Sequence, residues 1–386
     1  MITLRFLLMI LAHMAWQCAG AQGFINTYGG ALAQDGVAIV PTPTGYAVGV
    51  RTNTDQEPTH VAQLLTIGSN GTGSAWETIG DVQGNSFPQA MAVGPGQAIF
   101  LVGSVIAPDS SSHDAFLLKR SLDGAQQWIA QPHHHGDEQY FALKVLPDGS
   151  SVAAGVRAIG ADHDIWVTHF AADGTVQWNA AFGSALDEEA YDLVVSGNDI
   201  MLTGRQVNFG GTTDAFFARL DLTDGTVLWT TSWGGGANET GRAIRILGAG
   251  TFVMAGSTNS FGMWDTNEQR IKESMFLIGI DLNGDTLWTR TVGDTLYDRR
   301  AFCIDFADNT DLLIGGERSE LHGESDADVY RFNASTGVVW ERAWDLGKEE
   351  RLLSMLALQD GFITAGWSFD PLARQVLIVR RDPNGN

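Results

Sequence analysis

Residues 213–235 read TDAFFARLDLTDGTVLWTTSWGG, a strand–turn–strand unit from which the rest of the chain can be parsed. Residues 215–220 have the composition of a strand, and Asp224-Gly225 makes a tight turn. A second strand runs through Trp229 to Trp233, and Gly234-Gly235 closes the unit. A glycine preceded by Asp supplies the positive φ that a short hairpin requires. The same hairpin recurs at Trp76, Trp128, Trp178, Trp229, Trp288 and Trp340, spaced 52, 50, 51, 59 and 52 residues apart. Repetition at roughly 40–50 residues with four strands per unit is the mark of propeller blades.

Between the hairpins lie short apolar runs that end in Gly49, Gly103, Gly155, Gly204, Gly256, Gly316 and Gly366. Seven such runs against six tryptophan hairpins leave one hairpin to find, and joining the ends supplies it. The last residues, QVLIVRRDPNGN, are a strand and turn with no strand to follow, while FINTYGG at 24–30 is a strand with no hairpin before it. Pairing them removes an open sheet edge, where unpaired backbone groups invite aggregation. The expected fold is all-β, a seven-bladed β-propeller of four-stranded blades whose last blade is closed by the N-terminal strand. Blades are expected at about 24–76, 77–128, 129–178, 179–229, 230–288, 289–340 and 341–386, the last completed by 24–30. Each runs from strand A, innermost, to strand D, and together they form one domain over 22–386.

Residues 1–21 read as a cleavable export signal: Arg5 is the only charge, residues 6–15 are apolar, and Ala19-Gly20-Ala21 fits a small-x-small cleavage site. The apolar run is too short to span a bilayer, and no later stretch approaches that length. Cleavage near Ala21 makes the protein secreted, extracellular or periplasmic, and removes Cys18. Cys303 then stands alone, in the apolar run AFCIDF, and reads as a buried small hydrophobe. The formal charge of −22, from 23 Lys and Arg against 45 Asp and Glu, argues against nucleic acid and anionic lipid as partners. A monomer is expected.

The unit, roughly DxFxxxLDxxGxxLWxxxxGG followed by an acidic residue and a GxxxxxG strand, resembles the bacterial β-propeller repeat (SBBP) family and related repeats in exported proteins of the Bacteroidetes. The resemblance covers essentially all of 24–386. It implies the propeller architecture and a role as a surface or secreted module, and it implies no particular activity.

With strand A innermost, the D–A and B–C connections share one rim, the top, where three features gather. An acidic ring precedes the A strands: Asp35, Asn85, Asp137, Asp187, Glu239, Asp298 and Glu349. Converging carboxylates suit a hard cation such as Ca2+. The competing account is that each acid caps a turn once per blade, and recurrence in every unit favours it. The second feature is histidine: His133, His134 and His135 beside Asp137 and Glu138, with His60, His113-Asp114, His163-Asp164 and His322 in B–C loops. Imidazole with carboxylate suits Zn2+, although the spacing matches no defined metal motif and polar loop residues account for it as well. The third is the blade 5 insertion FGMWDTNEQRIKE at 261–273, where Trp264, Asp265 and Arg270 could hold a ligand or Trp264 could fold back on its own blade.

No G-x-S-x-G elbow, phosphate loop, zincin helix or dinucleotide fingerprint is present. Pairs such as Asp187/Glu188 could serve glycoside hydrolysis, but adjacent acids are expected by chance in so acidic a chain. The expectation is a secreted, non-catalytic binding module whose top face takes protein or polysaccharide. The alternatives are a metal-binding protein or metal-dependent enzyme using the rim of blades 1–3, and a structural surface protein with no specific site.

Overall fold

The repeated hairpin grows into a four-stranded antiparallel sheet in every unit, and a computed structural model shows seven of them among the described residues. Those residues are 23–386, except 55–58, 81–83, 108–110, 133–135, 160–161, 321–322 and 370–371. The expected export signal lies outside them. In blade 4 the strands are A (Glu188–Ser196), B (Asp199–Val207), C (Thr213–Asp221) and D (Val227–Trp233). Blade 7 has A (Glu350–Leu358), B (Gly361–Phe369) and C (Arg374–Arg381), and its D strand is Phe24–Tyr28, paired from Phe24↔Arg380 to Tyr28↔Val376. The N-terminal strand therefore closes the ring, as the sequence predicts.

Seven apolar clusters fill the seven seams between neighbouring blades. In the blade 3–blade 4 seam, for example, Val152, Ala154, Ile165 and Val167 meet Leu193, Ile200, Leu202 and Phe216. Strands B and C are apolar on both faces because each face meets another blade, and this is why their sequences do not alternate cleanly. Burying this surface is the main stabilising contribution in a fold whose one described cysteine is unpaired.

The tryptophan and the turn glycine that mark the repeat belong to one contact. Trp178 donates its indole N–H to the Leu222 carbonyl in the C–D turn of the next blade at 3.0 Å, and Trp229 does the same to Leu282 at 2.9 Å. Each ring lies over the turn's glycine, with Gly225 at φ 76° and Gly284 at φ 84°. A Cβ on Gly225 would stand 2.6 Å from the Trp178 ring. At the closing seam Phe24 replaces the tryptophan over Gly71, whose carbonyl accepts from Tyr28 at 2.6 Å. Blades 1 and 5 depart from the pattern: Trp76 sits at the surface, its neighbour Glu77 pairing with buried Arg120, and Trp288 packs on Gly279 of its own sheet while Gly337 in the next turn has no atom within 4 Å of an added Cβ.

The second repeated glycine has a different cause. Every A strand carries a β-bulge at the same place, between Ala190 and Asp192 in blade 4 and between Gly241 and Ala243 in blade 5. The bulge presses the A-strand backbone onto strand B, so that a Cβ on Gly204 would collide with the Glu189 carbonyl and one on Gly316 with the Arg300 carbonyl. The extra residue of a bulge re-aims a side chain. Here the seven extra residues, from Val37 in blade 1 to Leu353 in blade 7, line the central channel.

Candidate functional site on the top face

The acidic ring is a set of caps joining neighbouring blades. Asn85, Asp137, Asp187 and Asp298 each accept, through Oδ1, the backbone N–H at the start of the preceding blade's C strand: His60 at 2.9 Å, His113 at 2.6 Å, His163 at 3.0 Å and Glu273 at 2.8 Å. Three expected members differ, and one of them, Glu349, is met only through its backbone carbonyl, which accepts from Phe369 N–H at 2.8 Å. In blade 5 the cap is Asn238, on Thr213 at 3.0 Å, rather than Glu239. Asp35 lies two residues further along the strand and pairs with Arg51. Glu239 instead falls in register with Glu138, Glu188 and Glu350, four fully buried glutamates. Three of them reach back to an N–H four residues earlier: Ser184, Gly235 and Leu346. Burial pushes the carboxyls of Glu138 and Glu350 up to about 7.

The histidines separate by seam. His133, His134, His135 and His322 lie outside the described residues. His60 and His113 flank the Phe87 ring at 4.8 and 5.1 Å, and His113 Nδ1 meets the Ser104 hydroxyl at 2.9 Å. His163 Nδ1 stands 3.2 Å from Asp187 in the next seam. Asp164 faces Glu188 across Gly183, where a Cβ would strike both carboxylates. Burial and the charge of Asp162 raise its carboxyl. Among the described residues the group with ligand atoms within 4.8 Å of one another is Asp326, Asp345 and Glu350, which includes none of His113, Asp114, Asp137, His163 or Asp164. Its all-oxygen donor set suits calcium rather than zinc.

In the blade 5 insertion, Trp264–Asp265 pairs with Arg270–Ile271 as a small hairpin. Trp264 points outward, 53% exposed, beside Met263 at 54%. Asp265 is buried and caps its turn by accepting from the N–H groups of Asn267 and Glu268. Arg270 grips Asp298 through two bonds of 2.8 and 2.6 Å and also holds Glu268, while buried Lys272 pairs with Glu268 at 2.6 Å. Of the three expected ligand residues, Trp264 is presented to solvent, whereas Asp265 and Arg270 anchor the platform beneath it. Other exposed apolar side chains stand on nearby top loops: Phe209, Leu296 and Leu372.

A further feature carries no local sequence signal. Around the channel mouth, aromatic rings and guanidinium groups alternate from blade to blade. Phe141 packs on Tyr191 at 5.8 Å, and Arg242 lies 4.3 Å over Tyr191 and 5.8 Å from Phe302. Arg351 lies between Phe302 at 4.9 Å and Trp367 at 5.4 Å, and Arg374 covers Trp367 at 5.2 Å. Phe141, Tyr191, Arg242 and Phe302 all occupy bulge positions, so only the bulge register brings them together. Cys303, one residue past the bulge in blade 6, is buried with its thiol pushed up to about 12 by desolvation, which makes it inert as a nucleophile.

Seven four-stranded blades around a channel define a seven-bladed β-propeller, and the solved structures this chain is similar to are propeller-type proteins. No family model and no curated protein matches the chain. Raptor from Chaetomium thermophilum superposes with a TM-score of 0.52 at 9% identity, over 93% of this chain and 28% of that one. Sqt1 from the same organism gives 0.51 at 10% identity, over 89% and 82%. The chain thus spans little more than a quarter of Raptor's length. These likenesses are of fold.

Proposed function

We propose that this chain is a secreted, non-catalytic binding module, of the kind resembling the SBBP-repeat proteins of Bacteroidetes, whose top face takes an extracellular protein or polysaccharide. The observation that carries the reading is the blade 5 insertion, in which Trp264 and Met263 are held outward by an ion-paired scaffold of Asp265, Arg270, Lys272 and Asp298, with Asp265 and Lys272 buried. A rigid platform that exposes an aromatic ring spends little ordering entropy on binding, the condition under which such a residue contributes most. Propellers commonly mediate protein interactions, which supports the same reading. No helix among the described residues is long and apolar enough to cross a membrane.

The test is Trp264→Ala combined with Met263→Ser, screened against immobilised polysaccharides and purified surface proteins. Both side chains are more than half exposed, so melting should be unchanged within about 0.5 kcal/mol while capture falls at least tenfold. Capture that survives the double substitution would remove the insertion as the site.

A further inference from the structure

The top mouth of the channel gathers arginines in a chain whose formal charge is −22. Six guanidinium groups are linked around it: Arg51, Arg205, Arg242, Arg300, Arg351 and Arg374. Five of them are matched. Arg51 and Arg374 share Asp35, at 2.6 and 3.3 Å. Arg205 pairs with Glu189 at 2.7 Å, and Arg300 spans Glu273 and Glu317 at 2.8 and 3.0 Å. Arg351 takes the other oxygen of Glu317 at 2.6 Å. Arg242 has no carboxylate within ion-pair distance among the described residues, and it is fixed between Tyr191 and Phe302 by its two rings.

Below the mouth lies a cavity of about 410 Å³, within the size range of small-molecule sites. The surface it exposes is more polar than apolar, because Ile39, Leu193 and Met355 on the lining strands are packed into the blade seams. The two acids on the wall are already satisfied. Asp192 accepts from the N–H groups of Leu193 and Ile244 and pairs with Arg245 at 2.8 Å, while Asp305 accepts from those of Phe306 and Ala357. Lys144, exposed on the same wall, has no carboxylate partner among the described residues. The bulge register puts Lys144 level with Arg245, three residues deeper than Arg242, or roughly 10 Å along the strand.

We infer that the channel mouth binds a small organic carboxylate. Its head group is held by Arg242, its body lies in the cavity, and a second anionic group, where present, meets Lys144. A planar guanidinium stacked on tyrosine is preorganised to accept a carboxylate through two parallel N–H bonds. Neutralising the one unmatched arginine adds attraction that no internal acid supplies. The inference is independent of the macromolecular partner proposed above, since it needs neither the insertion nor its exposed rings.

The test is titration calorimetry of the whole chain at low salt with octanoate, decanedioate and inorganic phosphate as probes. Octanoate should bind, and decanedioate should bind more tightly because its second carboxylate reaches Lys144. Arg242→Gln should weaken both at least tenfold, Arg242→Lys less so, and Lys144→Gln should abolish only the advantage of decanedioate. Near-ultraviolet circular dichroism of each variant confirms that the collar is intact. Phosphate binding without octanoate binding would overturn the organic carboxylate in favour of a bare inorganic anion. Silence with all three probes, or affinities unmoved by Arg242→Gln in a folded protein, would overturn the site itself.

Discussion

At the scale of single residues, the top rim shows how burial, rather than charge count, decides what an acid does. Glu138 is fully buried beside Asp114 and Asp137, and its closest cation, Arg157, stands at 4.0 Å. Desolvation outweighs that arginine and raises the folded-state carboxyl from 4.5 to about 7. The folded protein therefore binds a proton that the unfolded chain releases. The stability this confers is complete below about pH 4.5 and is lost as pH rises through 7. Glu138→Gln cannot ionise and should keep that stability. Melting curves from pH 4.5 to 8 should show the variant near wild type at the acid end and more stable by about 3 kcal/mol at pH 8. Parallel wild-type and variant profiles would show that Glu138 is ionised in the fold throughout.

At the scale of the strand, six of the seven B-strand glycines are a packing requirement imposed by the bulge opposite, Gly49 facing the Met91 side chain instead. Gly204→Ala would push a methyl group into the Glu189 carbonyl and should cost about 2–3 kcal/mol. Gly210→Ala, with no atom within 4 Å of the added methyl, should be neutral within about 0.5 kcal/mol. Equal denaturation midpoints for the two would refute the close approach. The same bulges explain what local pattern could and could not reveal. The glycines, the tryptophans and the closing strand are legible because each recurs with a fixed chemistry. The bulge is silent in composition, yet it shifts register by one residue. Asp35, Asn85 and Glu239 look equivalent along the chain but stand two, four and three residues before their bulges, and so occupy three different positions in space. For the same reason Arg242 and Phe302 resemble ordinary strand residues until the pairing is known. The insertion is legible as an interruption of the period, but the anchoring of Arg270 depends on Asp298, 28 residues further on in the next blade.

At the scale of the whole ring, each blade is stabilised by two seams, and the closing seam depends on strand 24–28. That strand pairs with Arg374–Arg381 and sends Asn26 and Tyr28 to the Gly71 carbonyl of blade 1 at 3.1 and 2.6 Å. A chain beginning at residue 31 should lose about 3 kcal/mol or more and expose an unpaired edge. Size-exclusion chromatography should then show association in proportion to concentration. A monomer melting at the wild-type temperature would mean that the ring closes through other contacts.

The seven bulges also separate what the architecture demands from what it leaves free. The positions around them are small or tightly specified, as in the glycines opposite and the Ala, Asp, Cys or Ser that follows. The bulged positions themselves hold Val37, Gln89, Phe141, Tyr191, Arg242, Phe302 and Leu353, which share no chemistry. The propeller in effect offers a seven-letter register at the pore that can be respelled one blade at a time, changing what the opening recognises while every seam stays as it is.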